Sequence, residues 1–351
     1  MSFKNLVKWS LGQFSGLPWR QERTLYSTLV SEIMLQQTTV PTVLNHFERF
    51  IKKYPSPQKL AMASEEQLTI DWKGLGYYRR ARNLRKACIT ITSKFNGEIP
   101  LNYDDLVSID GIGEYTANAI LSIGANQAFL ALDANLERVL ARYYGIEAEK
   151  GKPLKDEIKK GFKQKSILKN ISRLNPRDVN EALMDLGRDI CQARKASCLI
   201  CPLNKSCHAF KTNSALEYPK IDLEKEKKKA KLIPLSLLRV VVRKNQKVLA
   251  YKKDDKEWLS GQWEIPTFIL ATDDKKLTQY PLYKSKKLDI KKLKTYQTGI
   301  TKYKITNYVL PLEENEFAKK FKTFGRKVLY KSENASNSNL TTASIKALKK
   351  L

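Results

Sequence analysis

The chain of 351 residues is 42% hydrophobic and 28% charged, a balance that suits a globular protein with room for two compact domains. Its 64 Lys+Arg against 36 Asp+Glu leave a formal charge of +28, which argues for a polyanionic partner, although a Lys-rich proteome would give the same excess. No stretch approaches the roughly 18 apolar residues that span a bilayer. No basic amphipathic helix stands apart as a membrane-surface binder. The opening MSFKNLVKWSLGQF breaks the apolar run of a signal peptide with Trp and Gln. The expected place of action is intracellular, the cytoplasm or nucleoid if the source is a bacterium.

Residues 24 to 213 read as nearly continuous short helices. Leu25, Leu29 and Ile33 recur at i, i+4 and i+8 and make one apolar face. Pro41 opens the next helix, with Leu44, Phe47 and Ile51 expected inward. Ser64 with Gln67 forms a capping-box pattern before Leu68 and Trp72, and Gly74 and Gly76 end that helix. A basic helix from Arg79 to Ser93 turns Leu84, Ala87, Cys88 and Ile91 inward, and Gly97 and Pro100 punctuate it. Its Arg79, Arg80, Arg82, Arg85 and Lys86 read as a mixture of phosphate contacts and solvated surface. Residues 105 to 124 read as two helices joined by Gly111-Ile112-Gly113. A helix starting near Asp133 sets Leu136, Val139, Leu140 and Tyr143 on one side, and another runs from Val179 to Cys191 with Leu183, Leu186 and Ile190.

From 214 to 231 the apolar period disappears. Lys225, Lys227, Lys228, Lys229 and Lys231 sit beside Glu224 and Glu226, the composition of a connector. Beyond it, Leu237–Val242 and Lys247–Tyr251 are short strand-like runs around a turn at Lys244-Asn245, Ile305–Leu310 alternates similarly, and Thr342–Leu351 reads as a closing helix. The expected domains are therefore a mainly α unit at 1–213, a connector at 214–231 and an α+β unit at 232–351. No internal repeat is present.

Four of the five cysteines fall within 17 residues, as Cys191, Cys198, Cys201 and Cys207. In a reducing compartment such clustering argues for a metal site rather than disulfides. The spacing C-x6-C-x2-C-x5-C suits the corners of a [4Fe–4S] cube or a zinc tetrahedron, although zinc sites usually pair two tight arms and only one is tight here. Cys88 lies on an apolar helical face and reads as core, and His208 as a bystander. In Leu106–Ala117, the two glycines permit a tight turn that leaves backbone N–H groups facing outward for a phosphate; an ordinary helical hairpin uses glycines in the same way. Asp133 reads as a helix N-cap whose carboxylate can also face a cationic sugar. Glu32 lies one step from the Leu25/Leu29/Ile33 face. Partial burial there raises a carboxyl pKa, as a general acid requires.

These segments carry a family resemblance. The cysteine spacing, the Gly111-Ile112-Gly113 hairpin and Leu132–Val139 resemble the helix–hairpin–helix endonuclease III superfamily of DNA glycosylases, and Ser31-Glu32-Ile33-Met34-Leu35-Gln36-Gln37-Thr38 resembles the adenine glycosylase (MutY) family almost residue for residue. The resemblance implies a helix–hairpin–helix glycosylase fold with a structural [4Fe–4S] cluster on the four cysteines. It implies an adenine DNA glycosylase of base excision repair, acting as a monomer on double-stranded DNA with A:8-oxoguanine or A:G mispairs. It assigns Glu32 to protonating adenine N7 and Asp133 to stabilising the sugar cation, with Tyr115 and Asn135 in support. A covalent adduct on Asp133 and direct attack by water both remain open. Extruding the target base needs a filler, and the resemblance points to Gln37 and to Tyr77 of Gly74-Leu75-Gly76-Tyr77-Tyr78. Gly111 and Gly113 would meet the DNA backbone.

Superfamily members that also cut the strand carry a Lys where this chain has Tyr115. A phenol cannot form an imine, so base release without lyase activity is implied. Residues 232 to 351 resemble the family's Nudix-like domain: Val248–Tyr251 and Trp258–Pro266 look like its start, and no Nudix catalytic box follows. The family's Phe-Ser-His loop, which reads 8-oxoguanine, corresponds to Ile300-Thr301-Lys302. Thr301 keeps a hydroxyl, while the Phe and His are missing. Two rivals stay on the table: a pyrimidine-lesion glycosylase with lyase activity, against which Tyr115 argues, and a DNA-binding protein without catalysis, against which intact Glu32 and Asp133 argue.

Overall fold

The computed structural model describes residues 2–163, 173–222, 232–283, 288–321, 324–334 and 338–351. Glu224, Lys225, Glu226 and Lys227–Lys231 of the expected connector lie outside the described residues. The chain divides into two compact units, Met1–Ala63 with Gly74–Leu223, and Ser64–Lys73 with Glu224–Leu351.

The first unit is helical. Its elements are α1 (Ser2–Phe14), α2 (Pro18–Gln21), α3 (Leu25–Leu35), α4 (Val40–Lys53), α5 (Pro57–Ala61), α7 (Arg79–Lys94), α8 (Tyr103–Ser108), α9 (Glu114–Ala119), a π-turn at Ile120–Gly124, α10 (Ala134–Tyr144), α11 (Lys152–Lys163), α12 (Pro176–Asp189) and α13 (His208–Lys211); α6 (Glu65–Asp71) groups with the second unit. The 24–213 expectation did not include α1. Phe3 and Leu6 on it are buried against Leu136, Val139 and Leu140 of α10 and Val179, Leu183 and Leu186 of α12. Each such burial stabilises by roughly 1.5–3 kcal/mol, enough to hold a short terminal helix. In α4 the buried residues are Val43, Phe47 and Phe50, whereas Leu44 is 39% exposed and Ile51 half-buried. Phe47 is inward as expected, and the face is turned so that Phe50, whose ring carries more apolar area than Ile51, is buried beside it. Helix α12 starts three residues before the expected Val179, since Asn175 caps it and Pro176 fits its first turn.

Among the described residues the second unit carries two four-stranded sheets, ordered β5-β1-β7-β6 and β2-β3-β4 with β8 on β3. The strands are β1 (Ile233–Val241), β2 (Arg243–Lys244), β3 (Lys247–Lys252), β4 (Trp263–Glu264), β5 (Thr267–Thr272), β6 (Lys294–Ile300), β7 (Tyr303–Pro311) and β8 (Val328–Ser332), with helices α14 (Glu314–Lys320) and α15 (Thr342–Leu348). Strand β1 pairs parallel with β7 and antiparallel with β5. The β2–β3 turn falls on Asn245 and Gln246, both left-handed at φ 48 and 57, one residue beyond the expected Lys244-Asn245. Trp263 donates its indole N–H to Glu66 at 3.3 Å, a tie between α6 and this unit. The two sheets are joined by a buried polar network around Glu264. Arg239 reaches its carboxylate at 2.5 Å and Lys253 at 2.7 Å, while the Tyr280 hydroxyl lies 3.2 Å away.

Candidate active site

Helix α3 carries Glu32. Thr24 caps it reciprocally: its hydroxyl accepts from the Ser27 N–H at 2.9 Å, and the Ser27 hydroxyl accepts from the Thr24 N–H at 2.9 Å. The helix packs on most sides, so Glu32 is only 5% exposed. Burial pushes its carboxyl up to about 7; a hydrogen bond from Tyr115 pulls it down, and the nearby charges of Asp133 and Glu181 push it up. A carboxyl with that pKa carries a proton in a large share of molecules at neutral pH, which is what a general acid needs.

The turn between α8 and α9 delivers the partner of Glu32. Gly111 sits at φ +94, and a Cβ there would come within 2.6 Å of the Asn83 carbonyl oxygen, so glycine is required. Gly113 has open space around its Cα and an extended φ of −93 at the N-cap of α9. The next residues place Tyr115 with its hydroxyl donating to the Glu32 carboxylate. Burial, together with Glu32 and Asp133, holds the Tyr115 phenol well above its ordinary range, so it stays a proton donor.

Asp133 caps α10. One of its carboxylate oxygens accepts the N–H groups of Asn135 at 2.9 Å and Leu136 at 2.7 Å, and the other accepts the Asn135 side-chain amide at 2.8 Å. Burial raises its pKa, and these hydrogen bonds oppose the rise. The N-cap and the charge-stabilising roles are therefore compatible in one residue. Arg138 ties this end of α10 to the cysteine loop, donating to Asn135 Oδ1 at 2.9 Å, to the Gly187 carbonyl at 2.6 Å and to the Cys191 carbonyl at 2.7 Å. Gly187 lies where a Cβ would stand 2.5 Å from Asn135 Cβ, so α12 approaches the Asp133 cap closely.

A charged cluster behind Glu32 escaped the sequence reading. Arg20 forks onto Asp185 at 2.9 and 3.1 Å and lies 3.4 Å from Glu181. Arg23 reaches Glu181 at 2.9 Å, and Ser10 donates to Asp185 at 2.5 Å. Each pair is 158 residues or more apart in sequence, and no local spacing signals it. The other expected residues are also located. Gln37 and Tyr77 are exposed, both in the left-handed region at φ 56 and 44. Arg80 departs from the expected mixture of phosphate contacts and solvated surface: it is 8% exposed and its guanidinium faces backbone carbonyls.

Cys191, Cys198, Cys201 and Cys207 line one chamber, with Arg142 beside them. The Arg142 guanidinium donates to Cys191 Sγ at 3.3 Å and to the Gln192 carbonyl at 2.8 Å. Among the described residues no group of three or more His, Cys, Asp and Glu closes around a single-ion position. Four thiols facing one chamber are a donor set that suits either a zinc ion or an iron–sulfur cluster. Burial pushes the Cys201 thiol up to about 12 and raises Cys198 and Cys207, so thiolates here require a cationic partner. In the second unit, Thr301 is at φ 50 in the β6–β7 turn, and Lys302 is paired with Asp274 at 2.9 Å. Among the described residues no helix is long and apolar enough to cross a membrane.

Residues 30–164 match the HhH-GPD superfamily of base excision DNA repair proteins, the class that the hairpin and the buried acid define. The chain is 34% identical over 311 residues to the adenine DNA glycosylase of Buchnera aphidicola subsp. Schizaphis graminum, covering 87% of this chain and 85% of that protein. It is 35% identical over 214 residues to the adenine DNA glycosylase of Homo sapiens, covering 58% of this chain and 38% of the human one. A solved thermostable thymine-DNA glycosylase superposes with a TM-score of 0.51 at 25% identity, over 60% of this chain and 95% of its own. The chain belongs to the adenine DNA glycosylase family of the endonuclease III superfamily, and it is an adenine-specific hydrolase of N-glycosyl bonds that acts in base excision repair.

Proposed function

We propose that this glycosylase removes adenine mispaired with 8-oxoguanine, or with guanine, in double-stranded DNA, as a monofunctional and monomeric intracellular enzyme. The observation that carries the chemistry is the buried Glu32 carboxyl near neutral pKa, hydrogen-bonded by Tyr115 and close in charge to Asp133. Glu32 gives its proton to adenine N7, which turns the base into a better leaving group. Positive charge develops on the deoxyribose as the bond breaks, and the Asp133 carboxylate, held by Asn135 and its helix N–H groups, stabilises it. Tyr115 keeps Glu32 oriented and stands where a lyase would need an amine, so the strand stays intact.

Gln37 and Tyr77 fill the space left by the extruded adenine, and the Gly111/Gly113 turn receives a backbone phosphate. The four cysteines and Arg142 suit a [4Fe–4S] cluster, which would anchor the loop after α12. Residues 1–213 serve as the glycosylase domain, 214–231 as connector and 232–351 as a Nudix-like lesion-recognition domain. Within it Thr301, at the tip of the β6–β7 turn, offers the hydroxyl for 8-oxoguanine.

A labelled duplex with one adenine opposite 8-oxoguanine tests the reading, with A:G, A:C and A:T duplexes alongside. Strand breakage only after hot alkali, selective for the 8-oxoguanine pair and weakened in Thr301→Ala, is the expected result. Breakage without alkali overturns the monofunctional assignment. Adenine loss from A:G with no preference for 8-oxoguanine overturns the recognition role of residues 232–351.

A further inference from the structure

We propose that Arg80 is a positioning residue that joins the turns carrying Gln37 and Tyr77 into one preformed wedge at the end of the Glu32 helix. The inference rests on the base-extrusion role given above to Gln37 and Tyr77. Arg80 lies in the first turn of α7, and its planar guanidinium divides its hydrogen bonds between two segments. Nη1 donates to the carbonyls of Ile33 at 2.9 Å, Met34 at 2.8 Å and Gln36. Nη2 donates to the carbonyls of Leu75 at 2.8 Å and Gly76 at 3.3 Å, and to the Thr38 hydroxyl at 2.8 Å. The Thr38 hydroxyl in turn donates to the Leu75 carbonyl at 3.3 Å, a second cross-link between the same two turns.

The acceptors are the carbonyls that a helix leaves without partners in its last turn, together with those of the Leu75-Gly76 loop. A cation at this end also complements the helix dipole. Each clamped segment presents a single exposed, non-glycine residue in the left-handed region: Gln37 follows Gln36, and Tyr77 follows Gly76. Such residues persist only where the surroundings over-determine the backbone. Here the surroundings include the buried guanidinium, with the Tyr77 ring 5.5 Å from it, and the Thr38 hydroxyl. The two side chains expected to enter the DNA stack are thus ordered before DNA arrives, and by the group that also closes the helix bearing Glu32. Lysine cannot replace this fork, because a single ammonium has no rigid plane with which to reach both turns.

The test uses the full-length, cluster-loaded protein and its Arg80→Lys, Arg80→Gln and Tyr77→Ala variants. A 2-aminopurine next to the 8-oxoguanine reports unstacking at saturating protein, and single-turnover adenine release is measured on two duplexes. One is fully paired around the A:8-oxoguanine site; the other carries mismatches on both sides, so that the adenine is already loosely stacked. The wild type is expected to raise the fluorescence, and both Arg80 variants to lose that rise as Tyr77→Ala does. Their release from the paired duplex falls by about 30- to 100-fold, the scale of unstacking one base, while release from the mismatched duplex recovers most of the loss. The ratio of the two rates within one preparation is independent of how much protein folds. An equal deficit on both duplexes, or a full fluorescence rise in Arg80→Lys with Tyr77→Ala lacking it, overturns the positioning role alone. A wild type that releases adenine with no fluorescence rise overturns the wedge assignment and this inference together.

Discussion

Glu32 and Glu264 are both buried carboxyls, 5% and 1% exposed, one in each unit, and their neighbours drive them in opposite directions. Around Glu32 burial dominates, the Tyr115 hydrogen bond and the Arg20 charge oppose it only in part, and the pKa rises to about 7. Around Glu264 burial is outweighed by Lys253 and Arg239, and the pKa falls to about 2. The difference teaches that depth sets only the cost of a charge; the cations within reach decide whether the group keeps its proton. Arg20 is close enough to help Glu32, but it is engaged by Asp185 and Glu181. The helical unit therefore holds a carboxyl able to give a proton at neutral pH, and the sheet unit holds one that acts as a structural anion.

The largest expected effect is on rate. Glu32→Gln should lower single-turnover adenine release by about 10²–10⁴-fold, the range for losing a general acid, with DNA binding retained. A variant within a few fold of wild type would remove Glu32 from the chemistry. Glu264→Gln reverses the pattern. It leaves Arg239 and Lys253 buried without their anion and should cost roughly 3–5 kcal/mol in urea unfolding of the full chain. An unchanged midpoint would show that the network contributes no net stability.

The pH dependence of stability sharpens the contrast. The folded pKa of Glu32 lies above its ordinary 4.5, so its contribution is complete below pH 4.5 and is lost as pH rises through about 7. Glu32→Gln should then stabilise the protein above pH 8 by up to roughly 3 kcal/mol and do nothing below pH 4.5. The folded pKa of Glu264 lies below 4.5, so its contribution is present above pH 4.5 and is lost as pH falls towards about 2. Melting curves from pH 2 to pH 8.5 should show the Glu32→Gln gain opening as pH rises towards 7 and the Glu264→Gln deficit closing as pH falls below 4.5; differences from wild type that stay constant with pH in both variants would erase the distinction between the two sites.

How much of this was legible in the sequence follows from the range of each interaction. Glu32, Tyr115 and Asp133 stand in contiguous motifs whose residue types are chemically restrictive, and the fold brings them to one place. The cysteine spacing likewise places four thiols on one chamber. What was missed depends on partners far along the chain. The Arg20–Asp185 fork spans 165 residues, and α1 reads as apolar on one side only once α10 and α12 are there to receive Phe3 and Leu6. Arg80 sits among four other basic residues, and composition cannot show that Arg80 turns inward to carbonyls and Arg85 reaches the Ala63 carbonyl at 2.6 Å, while Arg79 and Lys86 are exposed. The two glycines of the hairpin looked equivalent in sequence, whereas only Gly111 has a positive φ and a backbone neighbour in the way.

The smallest expected effect tests whether Tyr115 tunes Glu32 or only packs beside it. The Tyr115 hydroxyl donates to the Glu32 carboxylate, an interaction that favours the charged form and holds the pKa below the value burial would impose. Tyr115→Phe removes the donor and keeps most of the ring. Glu32 should then hold its proton to higher pH, and the alkaline limb of the rate profile should move upward from its wild-type inflection near pH 7. The phenol does not titrate in this window, because its own pKa is raised well above 10. At pH 6, where Glu32 is protonated in both proteins, the variant should lose about threefold to tenfold in release through poorer orientation of the acid, the scale of one hydrogen bond between neutral groups. Single-turnover profiles from pH 5.5 to pH 9 separate the outcomes. An inflection that stays in place while the rate falls would make Tyr115 an orienting group alone, and one that moves downward would show the hydrogen bond favouring the protonated acid. Only an upward shift leaves burial as the force that arms Glu32 and Tyr115 as the group that restrains it.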